Sequence, residues 1–282
     1  MKIAVIGMGR VGREVMRRLS VDNTITCPEG YDVALLRGCG VAVICTPFSA
    51  ILAEAKKAVA AGVRAIFSCT EDWKVRFHLK HLPVHTEPHC GLAPGWVGDM
   101  AREVVKQFDF VNSVDLYAGA LTRDTDNEYL YWPTWNVDGL IRELTEPCRI
   151  KVRDVIASVP PREGYRMVQF AGRWYEAFYT GGGAEGFLDE ALTVPNIAYR
   201  SLRKPGHLTA LEELGVEGLR KLPRYMGPEE VLAAVTVKGW VDKELRAMTA
   251  VRHFDSVAGA TAAHLVSRVE KWAQKEARRE AG

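Results

Sequence analysis

The stretch Lys2-Ile-Ala-Val-Ile-Gly-Met-Gly-Arg-Val-Gly12 joins a continuous apolar run to a turn that contains three glycines. A continuous apolar run is typical of a strand buried on both faces of a parallel sheet. The apolar residues that follow recur at helical spacing, at Val11, Val15, Met16 and Leu19. The order is therefore strand, glycine turn and helix, which makes the G-x-G-x-x-G pattern far more specific for a nucleotide-binding Rossmann unit than glycines alone.

Each glycine of this turn has a separate expected task. Gly7 permits the tight turn, Gly9 lets the backbone approach a pyrophosphate, and Gly12 allows the helix to pack closely on the strand. The helix N-terminus also offers unpaired N–H groups to an anion. We therefore predict that NAD or NADP is bound here, with the cofactor-binding residues Gly7, Met8, Gly9, Arg10, Val11 and Gly12. The alternative is a glycine turn that serves packing alone.

Apolar runs alternate with helix-like segments through the first part of the chain. Buried strands are predicted at Val41–Cys45 and Ala65–Cys69, a helix at Ser49–Ala61, and the start of a fourth strand at Leu82–His85. Such alternation predicts an α/β fold with a parallel sheet. We assign residues 1–110 to this Rossmann-type domain.

The pattern then changes to alternating polar and apolar residues, which is typical of strands with one exposed face. The segments concerned are Val114–Ala118, Arg149–Arg153, Met167–Phe170 and Val235–Trp240. Residues 111–255 are predicted to form an α+β domain for substrate binding and dimerisation. A homodimer is expected because strands such as Val114–Ala118 would otherwise leave exposed edges. Residues 256–282 are predicted to form a helix that returns to the first domain.

The region after the first helix is unusually short. A Rossmann unit continues to a second strand that ends near an Asp or Glu, which binds the adenosine ribose. Only Val21–Cys27 is available for this strand before Pro28, and Glu29 and Asp32 are the acids near the expected distance. The second strand and its helix are therefore predicted to be abbreviated or missing. The choice between NAD and NADP stays open.

Composition excludes several classes of partner. The chain has 282 residues, a hydrophobic content of 48% and a formal net charge of +2, so no strong field favours nucleic acid or an anionic membrane. Its six cysteines show no C-x-x-C spacing, so no metal site is predicted. Free thiols in apolar stretches fit a reducing compartment. With no signal-peptide pattern and no apolar run of about 20 residues, a cytoplasmic protein without a membrane partner is expected.

A second glycine-containing turn occurs at His89-Cys-Gly-Leu-Ala-Pro-Gly95, where a strand is expected to lead into a helix. Ligands of open α/β sheets bind at the carboxyl ends of the strands. His89 and Cys90 are therefore candidates to face the ligand, although Cys90 is equally explained as a buried thiol and His89 as a surface residue. Glu71 and Asp72 follow the strand Ala65–Cys69 and are either cleft residues or acids at a helix N-terminus.

Four segments, read together, resemble the saccharopine dehydrogenase family, which includes saccharopine reductase, lysine 6-dehydrogenase and carboxynorspermidine dehydrogenase. They are Cys90–Gly95, Tyr131–Ile141, Glu176–Gly183 and Tyr199–His207, and they occur in the order typical of that family. The resemblance covers nearly the whole chain. Their joint occurrence is more specific than any one of them.

The resemblance implies a substrate loop that includes Thr180 and Gly181, and an Arg203 and His207 pair near the substrate. An arginine suits a carboxylate, and a histidine can transfer protons near neutral pH. We therefore expect substrate contacts from Arg203, Thr180, Gly181 and Trp135, catalytic roles for His207, Cys90 and His89, and a nicotinamide pocket lined by Thr46, Pro47, Cys90 and Gly91. The alternatives are a structural ion pair for Arg203, a turn cap for His207 and core packing for Trp135.

The expected function is that of an NAD(P)-dependent oxidoreductase acting on the C–N bond of an amino acid or an imine derived from one. The abbreviated adenosine region keeps two alternatives open. One is a dinucleotide fold that serves as a non-catalytic binding or scaffold protein. The other is an enzyme that binds its cofactor in an altered way.

Overall fold

The computed structural model describes residues 1–19, 21–70, 72–123, 126–191 and 193–281. The chain divides into two compact units. Unit 1 comprises Met1–Gly91 and the C-terminal segment from Ala258, and unit 2 comprises Leu92–Val257. The division therefore follows the turn at Gly91, whereas the sequence interpretation placed it near residue 110.

Unit 1 contains a sheet of five parallel strands in the order β2-β1-β3-β4-β5. Its elements are β1 (Lys2–Ile6), α1 (Arg10–Arg18), β2 (Thr24–Cys27), β3 (Cys39–Ile44), α2 (Phe48–Ala60), β4 (Ala65–Ser68), α3 (Trp73–Lys80) and β5 (His85–Glu87). β1 pairs on both sides, which confirms the prediction of a buried parallel strand at Lys2–Ile6. The α/β class with a Rossmann-type parallel sheet is thus confirmed.

The second strand exists but is short, as the sequence indicated. β2 has four residues, and the helix that would follow it is reduced to a 3-10 turn at Val33–Leu36. Two boundaries differ from the prediction. β5 begins at His85 rather than near Leu82, because Pro83 lacks the N–H that a strand inside a sheet would need.

Unit 2 is built on an eight-stranded mixed sheet with the main order β13-β12-β6-β11-β10-β9, and β7 and β8 continue from β11. Its elements are α4 (Trp96–Val105), β6 (Phe110–Thr122), α5 (Val137–Thr145), β7 (Cys148–Val152), β8 (Val155–Val159), β9 (Arg166–Phe170), β10 (Arg173–Tyr179), α6 (Phe187–Glu190), β11 (Ile197–Arg203), α7 (His207–Leu214), β12 (Glu229–Val241) and β13 (Glu244–Phe254). β6 and β11 run parallel, whereas the other pairs are antiparallel.

β6 contains the segment Val114–Ala118 and lies between β11 and β12. The expectation that this segment leaves an exposed edge is therefore wrong, because both of its edges are paired. The outermost long strand is β13, and most of its residues are exposed. Sequence patterns missed β13 because it does not alternate in burial.

The last helix, α8 (Val257–Ala281), packs on the sheet of unit 1. Two hydrophobic layers flank that sheet, because successive strand residues point to opposite faces. Ile6 and Ile44 pack in the layer with α2 and α3 residues. Val5 and Phe67 pack in the other layer, together with Leu265 of α8. Within the described residues, no helix has the length and apolar composition that are needed to cross a bilayer.

Candidate functional site

The glycine turn of unit 1 has the geometry that each glycine requires. Gly7 has φ +93°, a conformation that side-chain-bearing residues rarely adopt. A Cβ at Gly12 would lie 1.9 Å from the carbonyl oxygen of Gly7, so only glycine permits α1 to approach β1 this closely. A Cβ at Gly9 would meet nothing within 4 Å. The space beside Gly9 is therefore open.

The N-terminus of α1 begins beside this open space. Gly9 is its N-cap and supplies no side-chain acceptor, and the first turn carries no acidic residue. The first N–H groups of a helix have no partner within the helix and attract anions. Arg13 reaches back to donate a hydrogen bond to the carbonyl oxygen of Met8 at 3.3 Å, which fixes the residue between the two glycines.

Two buried hydroxyl groups lie at the same edge of the sheet. Thr46 follows β3, and Ser68 ends the adjacent parallel strand β4. Among the described residues, Thr46 Oγ1 and Ser68 Oγ have no hydrogen-bond partner. A buried polar group without a partner is costly, and a ligand that supplies one removes the penalty. Together with the glycine turn, these hydroxyls fit a polar ligand at the carboxyl edge of the sheet.

The end of β2 offers one free acid. Its last residue, Cys27, is fully buried, and burial raises the pKa of the Cys27 thiol to about 11. Asp32 Oδ1 accepts a hydrogen bond from the Ala34 N–H at 2.9 Å and so caps the 3-10 turn. Glu29 is exposed just beyond the strand. Of the two acids considered from the sequence, Glu29 is therefore the one available to a ribose.

Cys90 was expected to face a ligand, and this expectation is wrong. The residue is 1% exposed and packs in the layer that contains Val5 and Phe67. Its thiol donates a hydrogen bond to the carbonyl oxygen of Glu87 at 3.3 Å. The sequence left this alternative open, and the apolar surroundings decide for a structural thiol.

The neighbours of Cys90 differ in their placement. His89 is half-buried and forms an isolated bridge with Cys69, which fixes its backbone beside β4. Gly91 is buried, and Pro47 is the N-cap of α2. Asp72 caps α3 through hydrogen bonds from the N–H groups of Lys74 and Val75, so the helix-terminus interpretation holds for it. Glu71 lies outside the described residues.

In unit 2, a buried polar cluster surrounds Glu143 of α5, a residue that sequence reasoning missed. Glu143 Oε1 accepts hydrogen bonds from Thr180 Oγ1 and Ser201 Oγ, both at 3.3 Å. The two hydroxyl oxygens are 2.7 Å apart, and the N–H of Gly181 donates to the Glu143 carbonyl oxygen at 2.9 Å. We call these residues, with Arg203, the Glu143 cluster. Glu143 resembles an ordinary helix-surface acid in the sequence, because nothing local shows that strands β10 and β11 end against it.

Arg203 belongs to the interior rather than to an open cleft. It is 3% exposed, and its guanidinium donates to the Leu202 carbonyl oxygen at 2.9 Å and lies 3.9 Å from Glu143 Oε2. Its Cζ is 5.0 Å from the centroid of the Tyr131 ring. The expectation that Arg203 faces the substrate is wrong for this structure, because it ends the interior strand β11 instead of lying in an exposed turn.

His207 is fully buried, and its Nδ1–H donates to the Tyr129 carbonyl oxygen at 2.6 Å. Burial, and then the charge of Arg203, lower the pKa of His207 to about 3. The imidazole is therefore neutral near pH 7, where a proton-transfer residue would need a pKa closer to the ambient pH. The expectation of a catalytic His207 loses its physical basis.

The turn at His207 is capped by another residue. Glu176 accepts hydrogen bonds from the N–H groups of Gly206 at 3.1 Å and Leu208 at 2.6 Å, which holds the start of α7. Burial raises the pKa of the Glu176 carboxyl despite these bonds. Trp135 is half-buried and packs over Gly139, where a Cβ would lie 2.6 Å from the indole ring. Its position is that of a packing residue, as the alternative interpretation held.

Comparison with known proteins gives fold-level similarity. No model of a known protein family matches the chain. The structure is similar to saccharopine dehydrogenase (L-Glu forming) from Saccharomyces cerevisiae, with a TM-score of 0.71, 13% identity, and coverage of 98% of this chain and 91% of that one. It is also similar to homospermidine synthase from Legionella pneumophila, solved in complex with NAD, with a TM-score of 0.58, 12% identity, and coverage of 98% and 84%. The saccharopine dehydrogenase fold expected from the four sequence segments is thus confirmed.

Proposed function

We propose that the protein is an NAD(P)-dependent oxidoreductase of small molecules. The observation that carries this proposal is the glycine turn of unit 1, where Gly9 borders open space at the uncapped start of α1. A pyrophosphate needs this combination of close backbone approach and unpaired N–H groups. The extended similarity to a dehydrogenase and to an NAD-bound enzyme supports the same cofactor.

The residues present fit the cofactor at two places. Gly7, Met8, Gly9, Arg10 and Val11 would hold the pyrophosphate, with Gly12 keeping α1 against β1. Thr46, Pro47 and Gly91 lie near strand ends and would border the nicotinamide half, where the unpaired Thr46 hydroxyl offers a donor. When bound, the nicotinamide supplies or accepts the hydride.

The finer proposal is that the reaction concerns the C–N bond of an amino acid or of an imine derived from one. It is supported by the similarity to saccharopine dehydrogenase over 98% of this chain. In this proposal, the Glu143 cluster and His207 shape the segment around Thr180 and Gly181 from inside and do not contact the substrate. His89, which is half-buried at the strand end, is the remaining proton-transfer candidate of the three residues that the sequence suggested.

A cytoplasmic homodimer is part of the proposal. All six cysteines are free, which fits a reducing compartment. The support for a dimer is the long edge strand β13 of unit 2, because an exposed edge presents unpaired N–H and C=O groups to another chain.

The alternative of a non-catalytic binding protein has one observation in its favour. β2 ends in a buried cysteine rather than an acid, and Glu29 lies on the exposed segment beyond it. If Glu29 nevertheless holds the ribose, Glu29→Gln should weaken NADH binding about tenfold, which is the effect of losing a charge-assisted hydrogen bond.

Titration with NADH and with NADPH tests the proposal. Energy transfer from tryptophan to the bound nicotinamide gives the signal, and wild type is compared with Gly9→Val and with Ala277→Val, which adds the same bulk at an exposed position of α8. We expect wild type and Ala277→Val to bind and Gly9→Val to remain folded without binding. Equal binding by all three proteins would contradict the phosphate assignment, and no binding by wild type would favour the scaffold alternative.

A further inference from the structure

A groove of about 600 Å³ lies in unit 2, where the carboxyl ends of β6, β11 and β13 meet the start of β12. Charged side chains of both signs line it: Arg123, Arg173, Lys204, Glu229, Glu230 and Asp255. The sequence interpretation singled out none of them as a binding residue except Lys204, the neighbour of Arg203 in its sequence segment.

Strand register places a cation and an anion on opposite sides of β12. Glu229 pairs with Thr122, so Arg123 directly follows the paired part of β6. Val231 pairs with Phe254, so Asp255 directly follows β13. The two flanking strands are separated by about 10 Å, which is twice the spacing of neighbouring strands. A small molecule with two charged groups can bridge such a gap when one partner is a long arginine side chain.

Most of the charges in the groove are already engaged. Arg173 forms an ion pair with Glu230 at 2.5 Å, and Glu229 accepts a hydrogen bond from the Val257 N–H at 2.7 Å. Lys204 donates to the carbonyl oxygen of Arg123 at 3.1 Å. Within the part of the chain that the structure describes, the exposed side chains of Arg123 and Asp255 have no ion-pair partner. The groove therefore presents one unneutralised charge of each sign.

A smaller cavity of about 370 Å³ shares Arg173, Lys204 and Glu230 with the groove and continues it across the strand ends. Its additional lining is mainly apolar, from Leu121, Leu130, Trp174 and Pro205. Trp174 is 57% exposed, which is unusual for so large an apolar side chain. The charged groove thus leads to an apolar end.

We propose that this groove binds an amino acid as its zwitterion. The α-carboxylate is held by Arg123 beside Lys204, the α-ammonium is held by Asp255, and an apolar side chain extends towards Trp174. A simple anion or a simple cation would leave one of the two free charges without a partner. The inference rests on the proposed function, to which it adds the substrate class and its anchoring residues, and it replaces Arg203 as the carboxylate anchor.

Isothermal titration with L-leucine tests the site directly. Two compounds of the same skeleton, 4-methylpentanoate and 3-methylbutylamine, carry only one charged group each. Arg123→Gln and Asp255→Asn remove one charge each at exposed positions, and Arg246→Gln is the matched control on exposed β13. We expect L-leucine to bind wild type and the control equally, and each groove variant to raise the Kd about tenfold or more. The two single-charge compounds should bind at least about tenfold more weakly.

Three results would overturn the inference: no binding of L-leucine to wild type, unchanged affinity in both groove variants, or equal affinity for the single-charge compounds. The same samples are titrated with NADH and NADPH. Cofactor binding without leucine binding would reject the groove and leave the proposed function standing. Leucine binding that depends on Arg123 and Asp255, without any cofactor binding, would support the groove and reject the oxidoreductase.

Discussion

The glycine edge of unit 1 and the Glu143 cluster of unit 2 solve opposite problems. At the glycine edge, the absence of side chains leaves backbone N–H groups open beside Gly9. In the cluster, Glu143, Thr180, Ser201 and Arg203 satisfy one another and are shielded from water. The region rich in reactive side chains is therefore structural, whereas the region that lacks side chains is the better ligand site. Substitutions in the cluster should reduce stability, and substitutions at the edge should reduce binding.

The largest effect is expected from Glu143→Ala. It leaves the buried Arg203 without its carboxylate and two hydroxyls without their acceptor, and breaking such a buried pair costs about 3–5 kcal/mol. Urea unfolding measures this loss, and Glu146→Ala is the control because Glu146 forms an exposed pair with Arg142 that is worth at most about 1 kcal/mol. Equal stability of the two variants would show that the cluster is not structural.

The pH dependence of unfolding sharpens the same distinction. The pKa of His207 is about 3 in the folded protein against 6.5 ordinarily, so the unfolded chain binds the proton more readily. Stability from the neutral imidazole is thus complete above pH 6.5 and is lost as the pH falls towards 3, by on the order of 3 kcal/mol at pH 4.

His207→Gln tests this directly, since the amide can still donate to the Tyr129 carbonyl but does not titrate. Its free energy of unfolding should fall less steeply than that of wild type between pH 6.5 and pH 4. Parallel curves for the two proteins would mean that His207 is protonated in the folded state, and a catalytic role would return to consideration.

Gly12→Ala separates packing from binding within the glycine turn itself. The added methyl group would meet the Gly7 carbonyl oxygen, so α1 must shift, at a cost of about 1–3 kcal/mol. Gly9→Ala meets no atom within 4 Å and should change the free energy of unfolding by less than about 1 kcal/mol. Thermal unfolding of the two variants compares them, and the reverse ranking would contradict the separate tasks of the two glycines.

The smallest effect is expected from Cys90→Ala. Removing one buried atom of the unit 1 core should cost about 1 kcal/mol, close to the value of a buried methylene. Cofactor affinity and turnover with any substrate should stay unchanged. A complete loss of turnover with retained folding would restore Cys90 as a catalytic residue.

The sequence was informative where a property depends on local backbone geometry. The tasks of Gly7 and Gly12 could be predicted because a positive φ and a close helix approach both require glycine. The shortened second strand was also visible, since the number of residues before Pro28 limits what can form. In both cases the constraint acts within a few residues.

The sequence failed where a property depends on distant partners. Arg203 and His207 have the chemistry of site residues, but their burial is set by the pairing of β11 with β6 and β10, which no local pattern shows. Glu143 and Asp255 were missed for the same reason. Their roles come from strands that are far apart in the chain and end at the same place.

The central claim, that the open glycine edge of unit 1 is the ligand site and the Glu143 cluster is structural, is tested most directly by hydrogen–deuterium exchange with and without NADH. Exchange of the amides in residues 7–13 should slow when NADH is added, because the first N–H groups of α1 then donate to the pyrophosphate. Exchange around Glu143 and Arg203 should be slow in both states. Unchanged exchange at residues 7–13 under saturating NADH, or protection that appears around Glu143 and Arg203 instead, would contradict the account.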